Sequence, residues 1–348
     1  MRLNKNINKK IYFFIFIFPA LFLYALFFLY PFSQGIYYSL TDWNGITPKI
    51  PIQMEKKQFE QIISRLKDKD REFILKNYSE IDNTYRLKIN LNNQTKNKIK
   101  NIFKKGGYSS IKFIGFKNFI EIFTTDQRFP RVIRFTLFFT FFNVLFINLL
   151  GLIMALFLDM EIRRKNILRT MFFMPNIISL IIVAFIWSFI FQHILPKITG
   201  ITEWLGDPDL APISVVITSV WQGLGYIMVI YLAGLQSIPS DILEVAKIDG
   251  ATGFTRFFKI TLPLLLPAAT ISLFITLTNS LKTFEIMLAL TNGGPGSATE
   301  SYVLNIYNDA FSNNLFGYAT AKAILLLLII MSITLIQLSI MKKREIEL

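Results

Sequence analysis

The chain has 348 residues, 53% hydrophobic and 15% aromatic with 35 Phe, which excludes an ordinary soluble domain and predicts an integral membrane protein. Cysteine is absent and His193 is the one histidine, which excludes disulfides, thiolate metal sites, His-rich zinc sites and most His-dependent catalytic triads. The formal charge of +14 is concentrated: Lys49 to Lys105 holds 15 Lys and Arg against 7 Asp and Glu, unlike a nucleic-acid groove spread over a whole domain.

Met1 to Lys10 is polar and basic, and Ile11 to Tyr30 is almost wholly apolar, close to the ~20 residues that cross ~30 Å of hydrocarbon. No small-residue cleavage site follows at Leu29-Tyr30-Pro31-Phe32, so this reads as a retained first span rather than a signal peptide. Tyr30 to Gly45, YPFSQGIYYSLTDWNG, carries the Trp and Tyr of an interfacial belt. From Ile50 to Gly107 the pattern changes. Phe59, Ile62, Ile63 and Leu66 share a helix face, Tyr85, Leu87, Ile89 and Leu91 alternate like a half-exposed strand, and Ile99, Ile102 and Phe103 mark another helix. These features predict a small α+β subdomain over 49–108, marginal alone at this size. It is either a docking element or a tolerated surface insertion.

Further spans are expected at Phe135 to Leu158, Met171 to Phe191, Ile213 to Leu235, Leu264 to Met287 and Thr320 to Met341, the last after a Gly/Pro/Asn-rich loop from Ala289 to Tyr318. The expected layout is therefore a tail and first span at 1–48, the insertion, a core at 109–341 and a basic tail at 342–348. With six spans, the basic N-terminus, Arg163 to Lys165, Lys247, Arg256, Lys259 and the Lys342 cluster fall on one side, so both termini are expected in the cytoplasm. The basic insertion then lies outside, where a long loop escapes the charge rule.

Pro239 to Pro267, PSDILEVAKIDGATGFTRFFKITLPLLLP, joins the fourth and fifth spans. Ser240 can cap a helix with Asp241 in its first turn and an apolar face of Ile242, Val245 and Ala246, which Gly250 stops. Thr252 can cap a second helix with Phe254, Phe257 and Phe258 on its face, before Leu262-Pro263 opens the next apolar run. Periodicity alone is also met by helices lying in the headgroup layer. The spacing is more particular. Glu244, Ala246, Gly250, Ile260, Leu262 and Pro263 fall where ABC-importer permeases have E-A-A, three residues, G, nine residues, I, one residue, L-P; Asp249 and Ala251 complete the D-G-A of the sugar-importing branch, and Val245 departs from the pattern. The chain resembles that family. Two further stretches agree: Phe113 to Phe119 (FIGFKNF), which with Thr41-Asp42-Trp43 flanks the insertion, and Thr291-Asn292-Gly293-Gly294-Pro295-Gly296 followed by Ala298-Thr299, Ile306-Tyr307, Ala310-Phe311 and Gly317-Tyr318-Ala319.

The resemblance implies an all-α membrane protein, a six-span type I ABC-importer transmembrane domain (MetI-like) with a small α+β extracytoplasmic insertion, in a bacterial plasma membrane. It implies a sugar permease working with a different second permease, an ABC ATPase dimer and an extracytoplasmic binding protein. In the maltose branch a large external domain occupies the insertion's place and touches the sugar-binding protein. Over 239–263 it implies ATPase coupling by Glu244, Ala246, Asp249, Gly250, Ala251, Arg256, Leu262 and Pro263: Glu244 makes the charged contact, Gly250 sets the elbow, and Ala246 and Ala251 allow close approach. Gly293-Gly294-Pro295-Gly296 lacks the Lys of a phosphate-binding loop, so no cofactor is expected on this chain, and ATP and Mg belong to the partner ATPase.

A solute path predicts polar residues on one face of a span. Ser219, Gln222 and Tyr226, beside Trp221, share a face of the fourth span, and Thr276, Asn279, Ser280 and Thr283 share one of the fifth. Hydroxyls, amides and rings suit a neutral polyol, although Ser, Thr and Asn also join helices to one another in bilayers. Lys282 is expected near the outer surface with Glu285 one turn on, and no unpaired charge at mid-membrane. An anionic solute such as glycerol phosphate is the alternative cargo and needs a basic residue in the path. An ion-coupled transporter needs intramembrane acids and inverted repeats, and a membrane-anchored enzyme needs a nucleophile–base constellation; the sequence displays neither set.

Overall fold

The computed structural model describes residues 5–45, 51, 53–81, 83–88, 91–105, 111–160 and 163–343. It divides into two compact units, Met1–Glu121 with Asp309–Lys322, and Ile122–Asn308 with Ala323–Leu348.

In the first unit, helix Lys5–Tyr24 passes through a π turn, Ala25–Leu29, into helix Tyr30–Ser39. The apolar helix therefore extends past the predicted end at Tyr30, and the YPFSQG stretch, expected beyond the span, continues it. Pro31 has no N–H for the helical ladder, and the π turn just before it is a usual accommodation for such a gap. Phe27 is 74% exposed, as suits a helix whose solvent is hydrocarbon.

The insertion has its own core. Strands β1 (Gln53–Glu55), β2 (Tyr78–Ile81) and β3 (Thr84–Leu87) form an antiparallel sheet in the order β1-β3-β2. Helices Lys56–Ile63, Asp68–Asn77 and Asn93–Lys105 bury Phe59, Ile62, Ile63, Ile74, Ile99, Ile102 and Phe103 with Met54 and Tyr78, and Phe59 stacks on Tyr85 at 4.0 Å. The faces expected from periodicity are the buried ones; Ile89 lies outside the described residues. Asp68–Asn77 was not among the expected helices, because its charge-rich sequence carries little apolar periodicity.

The insertion's two ends are clasped. Thr41 pairs with Phe113 in an antiparallel bridge, Ile114 N–H donates to the Leu40 carbonyl (2.8 Å), and Lys112 N–H donates to Asp42 Oδ1 (2.7 Å). Buried Asn118 donates from Nδ2 to the carbonyls of both Ser39 (2.8 Å) and Thr41 (2.9 Å). Gly317 N–H donates to the Trp43 carbonyl (2.7 Å), and a methyl at 317 would stand 2.2 Å from the Thr41 oxygen, so this approach requires glycine. Beside it a fully buried ion pair joins Lys322 Nζ to Asp309 Oδ2 at 2.7 Å, with Asn313 Nδ2 on the other carboxylate oxygen and the Tyr318 ring 4.8 Å from the ammonium. The pair was not foreseen from the sequence, since Asp309 lies in the presumed loop.

The second unit holds spans two (Phe129–Asp159) and four (Leu210–Gln236). The predicted continuous third span is two pieces, Lys165–Ile177 and Leu180–Thr199, separated by extended backbone at Ile178 and Ser179. Pro175 removes a helical donor three residues before that break. The first piece lies against span four so closely that a methyl at Gly225 would stand 2.1 Å from the Phe172 carbonyl oxygen.

Span five is also shorter than predicted. It runs Leu266–Leu281, bent by 68° from the helical segment Gly253–Leu264. Pro267 withholds an amide at the bend, and the chain unwinds at Lys282 before a short helix, Glu285–Leu290. The presumed loop after it contains helix Tyr302–Tyr307 and a π turn, Asn308–Ser312, before span six, Phe316–Lys342. Its glycine-rich start is closed by Thr299, whose hydroxyl reaches Thr291 Oγ1 and the Gly294 carbonyl, both at 2.7 Å. Among the described residues five helices are long and apolar enough to cross a membrane, six if the bent pair is one span.

Candidate functional site

A cavity of about 540 Å³ lies among spans two, four and five of the second unit. Seven of the eight predicted path residues line it: Ser219, Gln222 and Tyr226 from span four, Thr276, Asn279 and Ser280 from span five, and Thr283 from the unwound turn after it. Trp221 does not. It lies 100° round the helix from Gln222, where its ring meets Trp187 edge-on at 5.8 Å.

The seven do not play one part. Thr276 and Ser280 are buried and bonded: Asn143 Nδ2 donates to Ser280 Oγ (2.8 Å), Asn148 Nδ2 to Thr276 Oγ1 (2.9 Å), and the Tyr231 hydroxyl to Asn148 Oδ1 (3.0 Å). This network joins spans two, four and five, the helix-joining role that the sequence left open. Tyr226 and Asn279 are exposed to the cavity, while Ser219, Gln222 and Thr283 are half-buried.

Four further polar wall residues were not predicted: Asn143, Asn176, Lys282 and Glu285. Asn143 and Asn148 were legible as amides inside a Phe-rich span, a departure that marks an interior-facing residue. Lys282 and Glu285 were placed by extending the helix through them. Because it ends at Leu281, both stand in the cavity wall instead of one turn apart on a span surface.

The loop between spans four and five forms a second feature. Helix Ser240–Ile248 ends in a Schellman motif: Gly250 has φ +81°, its N–H reaches the Lys247 carbonyl (3.2 Å), and Ala251 N–H reaches the Ala246 carbonyl (2.9 Å). Neither predicted side-chain cap forms. Pro239 holds the first cap position and Ser240 turns to Asp241, while Thr252 sits at the second without a capping bond. Ala246 is buried and Ala251, Leu262 and Pro263 are half-buried, whereas Glu244, Asp249, Gly250 and Arg256 are exposed. The predicted apolar faces are divided: Ala246 is buried and Ile242 and Phe257 are half-buried, but Val245, Phe254 and Phe258 are exposed, Phe254 by 83%, as is Ile248 next to them. Large apolar side chains ringed by charges are the makings of a protein-docking surface.

Residues 147–345, more than half of the chain, match the family described as binding-protein-dependent transport system inner membrane component. The chain belongs to that family. It is 35% identical over 99% of its length to the probable starch degradation products transport system permease protein AmyD of Thermoanaerobacterium thermosulfurigenes, covering 98% of that protein. It is 30% identical, again over 99% of its length, to the multiple sugar-binding transport system permease protein MsmF of Streptococcus mutans, covering all of it. Among solved structures, one chain of a bacterial ABC transporter involved in the import of the acidic polysaccharide alginate superposes with a TM-score of 0.59 at 25% identity, over 66% of this chain and 84% of that one. The chain is therefore an inner membrane permease subunit with the importer fold, and the ion-coupled and enzyme readings fall away.

Proposed function

We propose that this permease subunit imports a neutral sugar or oligosaccharide, delivered by an extracytoplasmic binding protein, by alternating access driven by an ATPase dimer. The observation that carries this reading is the cavity, whose wall combines hydroxyls, amides and the Tyr226 ring in a volume that holds a molecule of oligosaccharide size. The relatives AmyD and MsmF, named for starch products and multiple sugars, support the same solute class.

The coupling loop fits the other half of the mechanism. It follows span four by three residues and feeds span five through the bend at Leu265, and the two spans press together at Gly234 and Ala268. A rigid-body push on the loop is thereby carried about 15–25 Å along span four to the cavity wall. Glu244, Asp249 and Arg256 offer charged contacts to the ATPase, Gly250 the elbow, Ala246 and Ala251 close approach, and Leu262 with Pro263 the join to span five. ATP and Mg reside on that ATPase, a distinct second permease completes the membrane pair, and both termini face the cytoplasm. On this reading the insertion lies outside and contacts the binding protein.

Lys282 in the cavity wall favours an anionic solute, as does the likeness to a transporter involved in the import of the acidic polysaccharide alginate, and Glu285 beside Lys282 opposes that reading. The test is uptake of labelled sugars into vesicles holding the complete transporter with its binding protein. Uptake that needs both ATP and binding protein is expected, with glycerol phosphate a poor competitor; accumulation of glycerol phosphate alone would reverse the assignment.

A further inference from the structure

We infer that Lys282 and Glu285 are specificity-determining residues, an unpaired cation and anion that restrict the cavity to uncharged saccharides by gripping hydroxyls at one end. The inference rests on the saccharide reading above and adds how the cavity refuses charged relatives of its solute.

The break that presents these residues is held in place. With the helix ended at Leu281, the Thr283 carbonyl accepts from the Ser301 hydroxyl at 2.8 Å, and the Thr283 hydroxyl lies 3.6 Å from Met287 Sδ. Residues 282 to 286 all contribute to the cavity wall, and non-helical backbone in a span is tolerated where it lines such a space. Both Lys282 and Glu285 are exposed and line it, and among the described residues neither makes an ion pair or a side-chain hydrogen bond. That separates them from the buried charges elsewhere. Glu300 accepts from Asn305 Nδ2 at 2.9 Å and Asn308 Nδ2 at 3.3 Å, and Lys322 meets Asp309 at 2.7 Å.

An ammonium supplies only donors and a carboxylate only acceptors, whereas each sugar hydroxyl is both. Two hydroxyls can therefore satisfy both groups with charge-assisted bonds, the stronger kind. The rest of the wall continues the same chemistry: Asn143 Oδ1 is buried without a partner, an acceptor awaiting a donor, and Gln222 and Asn279 offer amides. A carboxylated or phosphorylated ligand attracted to Lys282 meets like charge at Glu285, and a cationic one meets Lys282. Only a neutral polyol escapes both penalties.

The experiment is competitive uptake of a labelled neutral oligosaccharide and its uronate counterpart by the complete reconstituted transporter, with Lys282→Gln, Glu285→Gln and the doubly exchanged Lys282→Glu/Glu285→Lys. Wild type should favour the neutral sugar. Glu285→Gln should raise the uronate-to-neutral ratio by roughly 10- to 100-fold through relief of like-charge repulsion, and Lys282→Gln should depress neutral uptake without admitting the uronate. The exchanged pair, which keeps both charges, should retain the neutral preference. Neutral uptake by wild type with an unchanged ratio in Glu285→Gln would overturn the inference and leave the saccharide reading standing. Uptake of neither sugar by wild type would remove that reading and the inference with it.

Discussion

Gly250 sits at φ +81° with open space where a side chain would go, so replacing it with alanine adds backbone strain and nothing else. Gly250→Ala should cost about 1 kcal/mol locally. The readout is faster hydrogen exchange at the Ala251 amide, whose bond to the Ala246 carbonyl closes the helix. The buried Lys322–Asp309 pair poses the opposite problem. Lys322→Met leaves an uncompensated carboxylate and should lower stability by about 3–5 kcal/mol, while adding Asp309→Leu should recover much of it, as thermal unfolding of the purified complex can measure. Sequence periodicity found six of the seven wall residues because 3.6-residue spacing puts each set on one face of its own span; Thr283 reaches the wall although the helix has already ended. Periodicity could not find Lys322's partner, which comes from a turn 13 positions earlier that reads as loop.

The elements show a similar division. Apolar content located each span, yet it is blind to where backbone bonds stop. The break at Ile178–Ser179 and the end of span five at Leu281 both lie inside sequences that remain apolar across or close to the discontinuity. The insertion was legible from its local faces, but the clasp at its base was not, since it joins residues such as Ser39 and Asn118 that are 79 positions apart. That clasp explains how about 60 extra residues fit between two spans: the chain leaves and returns at one paired bridge, Thr41 with Phe113. Asn118→Ala should leave two backbone carbonyls short of a donor, costing about 1–3 kcal/mol, and should speed proteolysis at the insertion's base. Replacing 46–110 by a short glycine-rich linker should still give a membrane-inserted, monodisperse subunit, measured by gel filtration in detergent.

At the scale of the molecule, one connection links the proposed coupling surface to the proposed solute cavity. The coupling loop is continuous with spans four and five, and those spans supply six of the seven predicted residues of the cavity wall, the seventh, Thr283, following span five directly. In the proposed mechanism the loop moves through differential contact with the ATPase before and after ATP binding, so the coupling residues act without touching the solute. The most direct measurement is ATP-dependent uptake by the reconstituted transporter carrying Glu244→Lys, with subunit assembly followed in the same preparation. Abolished uptake by an assembled complex that still receives the loaded binding protein is the expected result. Uptake at the wild-type rate would contradict the coupling on which the mechanism depends.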